Sequence, residues 1–191
     1  MKVVFLDIDG VLNTSETYDR IDKENLENGT SNIYIDGFRV EYLSKIVELT
    51  DAKIVLSSSL RWRFQKKNDK VVPITEYFAD DFINMLAGYN LFLYDLIPII
   101  RDVNGREIKR QEEIKIWLSQ NENVENFVIL DDETTELMDF VDDNFIILNN
   151  LPIGVMVRDM RDCVGLCEEH IEQVVDILNS KRNNNKVKIR K

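Results

Sequence analysis

Residues 3–13, VVFLDIDGVLN, run four apolar side chains straight into Asp7, Ile8, Asp9 and Gly10. An almost continuously apolar run of this length reads as a strand covered on both faces, the kind found inside a parallel sheet. Ionised carboxylates are costly to bury and repel one another at short range, so a pair at the end of such a strand needs compensation. Residues two apart in an extended segment point the same way, which turns Asp7 and Asp9 toward one pocket. Gly10 permits a sharp departure that brings the second carboxylate back toward the first.

The rest of the chain alternates strands with helices. KIVLSSS (53–59) is a second buried strand ending in small hydroxyl residues, and NFVILDD (126–132) repeats the opening, an apolar strand running into paired acids. NFIIL (144–148) is another strand, while Pro98 makes LFLYDLIPII (91–100) an edge or a terminus. Helical spacing predicts helices over 38–50, 74–88, 106–120 and 167–180. Such alternation points to an α/β fold, a doubly wound parallel sheet with right-handed crossovers, in which ligands bind at the carboxyl ends of the strands. Residues 14–37 are polar, contain a short β-like NIYI, and are expected as a flap or a plain surface loop beside the first acids. Residues 61–105 hold a third strand with its helix and leave room for a further insertion.

Three strands thus end in chemically able groups: Asp7 with Asp9, Ser57, and Asp131 with Asp132. A cluster of three or four acids is untenable without a cation, and hard oxygen ligands select magnesium or calcium, with magnesium suiting a site completed by phosphate. The DIDG stretch is not a calcium loop, because its glycine comes fourth and no glutamate stands at the twelfth position. One carboxylate free to attack and another free to move a proton make a nucleophile and a general acid–base. Phosphoryl transfer also needs a donor for the nonbridging oxygens, a role for Ser57, and a cation across the developing charge, a role for Arg110 or Lys109.

Composition sets the outer bounds. The chain has 191 residues, 44% hydrophobic and 31% charged, the size of one domain with a well-formed core over 1–180. Its apolar runs are too short to span a membrane and the opening residues lack a signal-peptide pattern, so a cytoplasmic location is expected. The last eleven residues, KRNNNKVKIRK, carry six basic groups and no acid, and read as a disordered tail. They leave a body of 18 basic and 35 acidic residues, net −17, which opposes nonspecific nucleic-acid binding. Cys163, Cys167 and His170 are spaced C-x3-C-x2-H, too loosely for a structural zinc site, and two ordinary thiols are expected. The sequence sets no oligomeric state.

The ordered set FLDIDGVLN, IVLSSSLR, KRQEEIKIWL and FVILDDE resembles the haloacid dehalogenase-like (HAD) phosphatases. More narrowly, SSSLR, RQEEIKIWL, VILDDE and a late GL before the last helix resemble the HAD domain of Swiss Army knife RNA-repair proteins. The resemblance implies a Rossmann-like HAD fold with a small flap or minimal cap. It makes Asp7 the nucleophile that forms an aspartyl-phosphate, and Asp9 the acid that protonates the leaving oxygen and then deprotonates water. Ser57 would hold the phosphoryl group, and Asp131 would bind Mg²⁺ with Asp7 and the Asp9 backbone, Asp132 assisting. Ser58 and Arg61 would contact substrate, although Leu60 stands where the subfamily usually has tryptophan. The implied activity is an Mg²⁺-dependent phosphomonoesterase acting on nucleotides or phosphorylated nucleic-acid ends. A phosphatase of small metabolites and a non-catalytic phospholigand module are the alternatives.

Overall fold

Strand β1 (Lys2–Leu6) occupies the centre of a five-stranded parallel sheet because both of its faces find apolar cover, with Val3, Val4, Phe5 and Leu6 all 0% exposed. The computed structural model describes residues 1–74, 77–141 and 144–180. β1 pairs with β2 (Lys53–Leu56) on one side and β6 (Asn126–Asp131) on the other. Strands β5 (Leu93–Leu96) and β7 (Phe145–Ile147) form the edges, giving the order β5-β2-β1-β6-β7. Pro98 lies just past the end of β5, where its missing N–H breaks no ladder.

Period-two alternation sorts the core into two layers. Val4 and Leu6 point into one, beneath α2 (Gly37–Thr50), α3 (Phe78–Gly88) and α5 (Glu169–Asn179). Val3 and Phe5 point into the other, beneath α4 (Arg110–Gln120), where Phe5 meets Trp117 and Phe127 edge-on at 5.4 and 5.7 Å between ring centroids. The register aligns Leu6 with Leu56 and with Leu130. One step further, Asp7, Ser57 and Asp131 therefore come level on three adjacent strands, on the face that α4 covers.

The α/β alternation read from the sequence is the architecture found, with four differences in detail. The 14–37 segment forms a helix, α1 (Ser15–Asn28), and its NIYI stretch is not a strand. Only Thr17 and Ile21 of that helix are buried, too thin a stripe to register as amphipathic. The helix expected over 106–120 begins at Arg110, because Asp102 and Gly105 turn the preceding chain back into an Arg101–Glu107 bridge. The insertion within 61–105 is a hairpin of β3 (Phe64–Lys67) and β4 (Lys70–Pro73), turned by Asn68 and Asp69, which both take left-handed backbone. Helix α3 starts at Phe78; Thr75 and Glu76 of the predicted 74–88 helix, and the basic tail, lie outside the described residues. Among the described residues no helix is long and apolar enough to cross a membrane.

The turn after β1 depends on Gly10, whose φ of +74° is left-handed and whose missing Cβ leaves room for the Asp132 carboxyl group. Gly29 is also left-handed, at +63°, but faces open space. Gly10→Ala is expected to cost about 2–3 kcal/mol in urea unfolding, combining backbone strain with displacement of Asp132, and Gly29→Ala no more than about 1 kcal/mol. Equal losses at the two positions would show that Asp132 does not constrain the turn.

Candidate functional site

The ladder continues one residue past β1 and β2 before the chains diverge. Asp7 N–H donates to the Leu130 carbonyl at 3.0 Å, and Ser57 N–H to the Leu6 carbonyl at 2.9 Å. Asp7 is 5% exposed, Ser57 and Asp131 0%, and Asp132 9%, so the strand ends carry three buried carboxylates. One oxygen from each of Asp7, Asp131 and Asp132 lies within 4.8 Å of the others.

Arg110, the first residue of α4, supplies the positive charge. Its Nη1 donates to Asp131 Oδ2 and stands 3.4 Å from Asp7 Oδ1. Lys109 turns outward instead, its Nζ donating to the Thr135 carbonyl at 3.1 Å. Of the two cations the sequence left open, Arg110 is the one at the acids.

A single guanidinium does not compensate three acids. Burial raises the Asp7 pKa well above the usual carboxylate range despite Arg110, and the charges of Asp131, Asp132 and Asp9 raise it further. Asp131 is raised by burial too, against Arg110 and the Glu133 N–H. Burial and the charge of Asp131 push Asp132 up to about 6. An all-oxygen donor set with surplus negative charge fits a hard divalent cation.

Asp9 stands apart from this trio. The chain leaves the extended state at Ile8, whose carbonyl accepts from the N–H groups of Val11 and Leu12, so the two-residue alternation stops there. Asp9 Oδ1 accepts from Asn13 Nδ2 at 2.9 Å and from the Tyr18 hydroxyl at 3.4 Å, which turns this carboxylate toward α1. Its charge, after burial, lifts the Tyr18 phenol to about 12. Tyr18 in turn stacks on Tyr34 at 4.7 Å, so segment 14–37 lies against the second acid.

The three positions of the serine turn are used differently. The Ser57 hydroxyl is buried and has no hydrogen-bond partner among the described residues. Ser58 Oγ accepts from Leu60 N–H at 3.2 Å and so starts the 3-10 turn Ser59–Arg63. Arg61, expected to reach substrate phosphate, points inward: it is 5% exposed, pairs with Glu113 of α4, and donates to the Ser57 and Ser58 carbonyls at 3.3 and 2.9 Å. Glu113 also accepts from Ile100 N–H at 2.9 Å, so this pair ties the serine turn to the helix that carries Arg110.

Asn13 and Glu113 carry no sequence expectation, and Cys163 was expected only as an ordinary thiol. Asn13 stands inside the opening stretch, and its buried amide bridges Asp9, Gly10 N–H and the Tyr34 carbonyl. Glu113 lies within RQEEI, where an acid in a helix reads as solvated. Cys163 donates to Asp132 Oδ2 at 3.2 Å, a contact between positions 31 residues apart that leaves no local signal. Cys163, Cys167 and His170 do not converge: Cys167 Sγ is 3.1 Å from His170 Nδ1, with Glu169 beside them at the start of α5.

A Rossmann-like parallel sheet with its acids gathered at the central strand ends, faced by a helix-borne arginine, has the architecture of the HAD superfamily. The chain belongs to the family described as the HAD domain in Swiss Army Knife RNA repair proteins, whose model matches residues 3–151. No curated protein and no solved structure matches the chain.

Two variants probe the electrostatics. A carboxyl whose folded pKa exceeds its unfolded value, near ~4, stabilises the fold at low pH and loses that contribution as pH rises through the folded value. Asp7→Asn is therefore expected to raise the melting temperature of metal-free protein at pH 7, with the gain fading toward pH 4. A gain independent of pH, read from paired thermal melts, would refute the electrostatic cause. Glu113→Gln strands the buried Arg61 charge and should cost about 3–5 kcal/mol, part of it recovered in the double variant Arg61→Met, Glu113→Leu. No recovery in that double variant would mean that shape, not charge, is what the pair supplies.

Proposed function

We propose that the protein is an Mg²⁺-dependent phosphomonoesterase that works through an aspartyl-phosphate on Asp7, with nucleotides or phosphorylated nucleic-acid ends as substrates. The observation that carries this reading is the alignment of Asp7, Asp131 and the unpartnered Ser57 hydroxyl on one face, with Arg110 against both acids. Asp7, Asp131 and Asp132 would hold Mg²⁺, which when bound offsets the carboxylate charge and attracts the nonbridging oxygens of a phosphate.

The protein groups then divide the work. A carboxylate oxygen of Asp7 attacks phosphorus, and the bond from phosphorus to the ester oxygen breaks. Asp9, held by Asn13 and Tyr18, gives its proton to that oxygen, which leaves as an alcohol. Water attacks the acyl phosphate at phosphorus, Asp9 takes up a proton, and the Asp7 oxygen–phosphorus bond breaks to release inorganic phosphate. Ser57 donates to a nonbridging oxygen, and Arg110 holds the Asp7 and Asp131 carboxylates in place. Lys109 and Arg61 have supporting parts: one fixes the start of α4 through Thr135, the other braces the serine turn with Ser58. Segment 14–37 serves as a flap beside Asp9.

Membership of a family described from RNA repair proteins favours nucleic-acid ends. The net charge of −17 over residues 1–180 favours small phosphate esters instead, because it repels a polyanion. Phosphate release is the test, measured with Mg²⁺ on 3′- and 5′-phosphorylated oligonucleotides, mononucleotides and sugar phosphates. Turnover on oligonucleotide ends is expected, abolished by chelation and in Asp7→Asn, and lowered about 10²–10⁴-fold in kcat by Asp9→Asn. Turnover on small esters alone would discard the repair substrate. Full activity in Asp7→Asn would overturn the mechanism, and phosphoester binding without turnover would make the protein a binding module.

A further inference from the structure

The β3–β4 hairpin carries chemistry that the acid site does not use. In a chain of net charge −11, residues 63–70 (RFQKKNDK) hold four cations and one acid, Asp69. Lys66 pairs with Asp95 at 3.1 Å and lies 5.4 Å from the centre of the Tyr94 ring. Arg63 lies 4.6 Å from the Trp62 ring and 5.7 Å from that of Phe78. Arg63, Lys67 and Lys70 make no ion pair among the described residues. Lys67 and Lys70 are exposed, whereas Arg63 is half-buried, its Nε enclosed and without a hydrogen-bond partner among the described residues. Nearby rings are exposed too, Trp62 at 52% and Phe92 at 71%.

The hairpin has a definite relation to the site. It follows directly from the Ser59–Arg63 turn at the carboxyl end of β2, which Arg61 fixes to α4. From there it runs along the β5 edge, where Lys66 meets Asp95. Its tip reaches Lys53, the first residue of β2, at the opposite end of the sheet. A groove of about 530 Å³ opens there, with Lys53, Lys70, Phe92 and Tyr94 on its walls and Ile83 and Leu86 among its apolar lining. Cations and rings therefore alternate along one sheet edge, beginning at the serine turn.

We infer that this edge is a track for single-stranded nucleic acid, with the exposed Lys67 and Lys70 meeting phosphates and Trp62, Phe92 and Tyr94 taking bases. The inference rests on the proposed reading of the acid site as one that receives a phosphorylated end. Cationic side chains interleaved with aromatic rings are what a single strand recognises, since its unstacked bases present their faces while its backbone presents regularly spaced charge. Rings do not gain this contact from a duplex, whose bases are already stacked. The surrounding acidic surface repels a polyanion and so confines it to the basic edge.

The test is fluorescence anisotropy with a fluorescein-labelled single-stranded RNA decamer bearing a terminal phosphate, titrated at several salt concentrations onto Asp7→Asn protein. In that background, Lys67→Gln with Lys70→Gln is expected to weaken binding about tenfold or more and to lower the slope of log Kd against log salt by about 1.4. Tyr94→Ala should weaken binding about tenfold with the slope unchanged, because stacking releases no counterions. All variants keep residues 181–191, so any difference belongs to the hairpin edge. With Asp7 intact, the same changes should leave hydrolysis of p-nitrophenyl phosphate as in wild type. Wild-type affinity and slope in both variants would overturn the track. If the protein hydrolyses no phosphoester yet binds the decamer through these residues, the phosphatase reading fails and the track stands. If it hydrolyses phosphoesters and does not bind the decamer, the track fails and the phosphatase stands.

Discussion

Arg110 lies against Asp7 and Asp131, and this contact sets the terms for the rest of the fold. Buried acids at the ends of neighbouring strands are tolerable only if a positive charge reaches them through the apolar layer that covers the sheet. Helix α4 delivers that charge, so its position has to be exact in rotation and in height. Ile114 and Trp117 set the rotation by burying into the layer around Phe5, and Trp117 Nε1 donates to Asp95 on β5 at 3.2 Å. The Arg61–Glu113 pair sets the height, one helical turn from Arg110. The second buried ion pair thus serves the first, by holding the helix that carries the compensating charge.

The parts of this site legible in sequence are those that depend on local periodicity. Asp7, Ser57 and Asp131 each follow a short apolar run, and parallel pairing brings strand ends level whatever the intervening chain does. Arg110 was legible only as one of two neighbours, because helix phase decides between it and Lys109 and phase is set by the packing of Ile114 and Trp117. Asp9 was expected to face the same way as Asp7, an expectation that holds only while the chain stays extended; the turn at Ile8 sends it toward Asn13 and Tyr18. Arg61 was expected to contact substrate, and nothing local shows that it instead turns inward to a buried Glu113 from 52 residues away. The hairpin was hidden because its strands are only four residues each with a single buried apolar anchor apiece, Phe64 and Val71, and because its turn uses Asn-Asp without glycine.

The family match ends at residue 151, yet the chain beyond it is part of the same structure. Cys163 bonds to Asp132, and Val164 N–H donates to the Leu148 carbonyl at 2.9 Å, so the segment after the match closes over the third acid. Arg39 of α2 donates to the carbonyls of Val164 and Leu166 at 3.0 and 2.9 Å, and Gly165 lies so near its guanidinium that a Cβ there would collide. Helix α5 then fills the space between α2 and β6, with Val174 and Leu178 fully buried. Asn126, the first residue of β6, fixes its far end by donating to the Leu178 and Ser180 carbonyls at 3.0 and 2.8 Å. The strand that carries Asp131 is thus held at both ends by residues outside the matched region. Asp132 in particular owes its placement to three separate parts of the chain: Gly10, which makes room for it; Asn149, which holds its backbone carbonyl; and Cys163, which donates to its carboxylate. A carboxylate raised to a pKa of about 6 would gain by turning away from Asp131 into solvent, and these contacts are what keep it beside the other two.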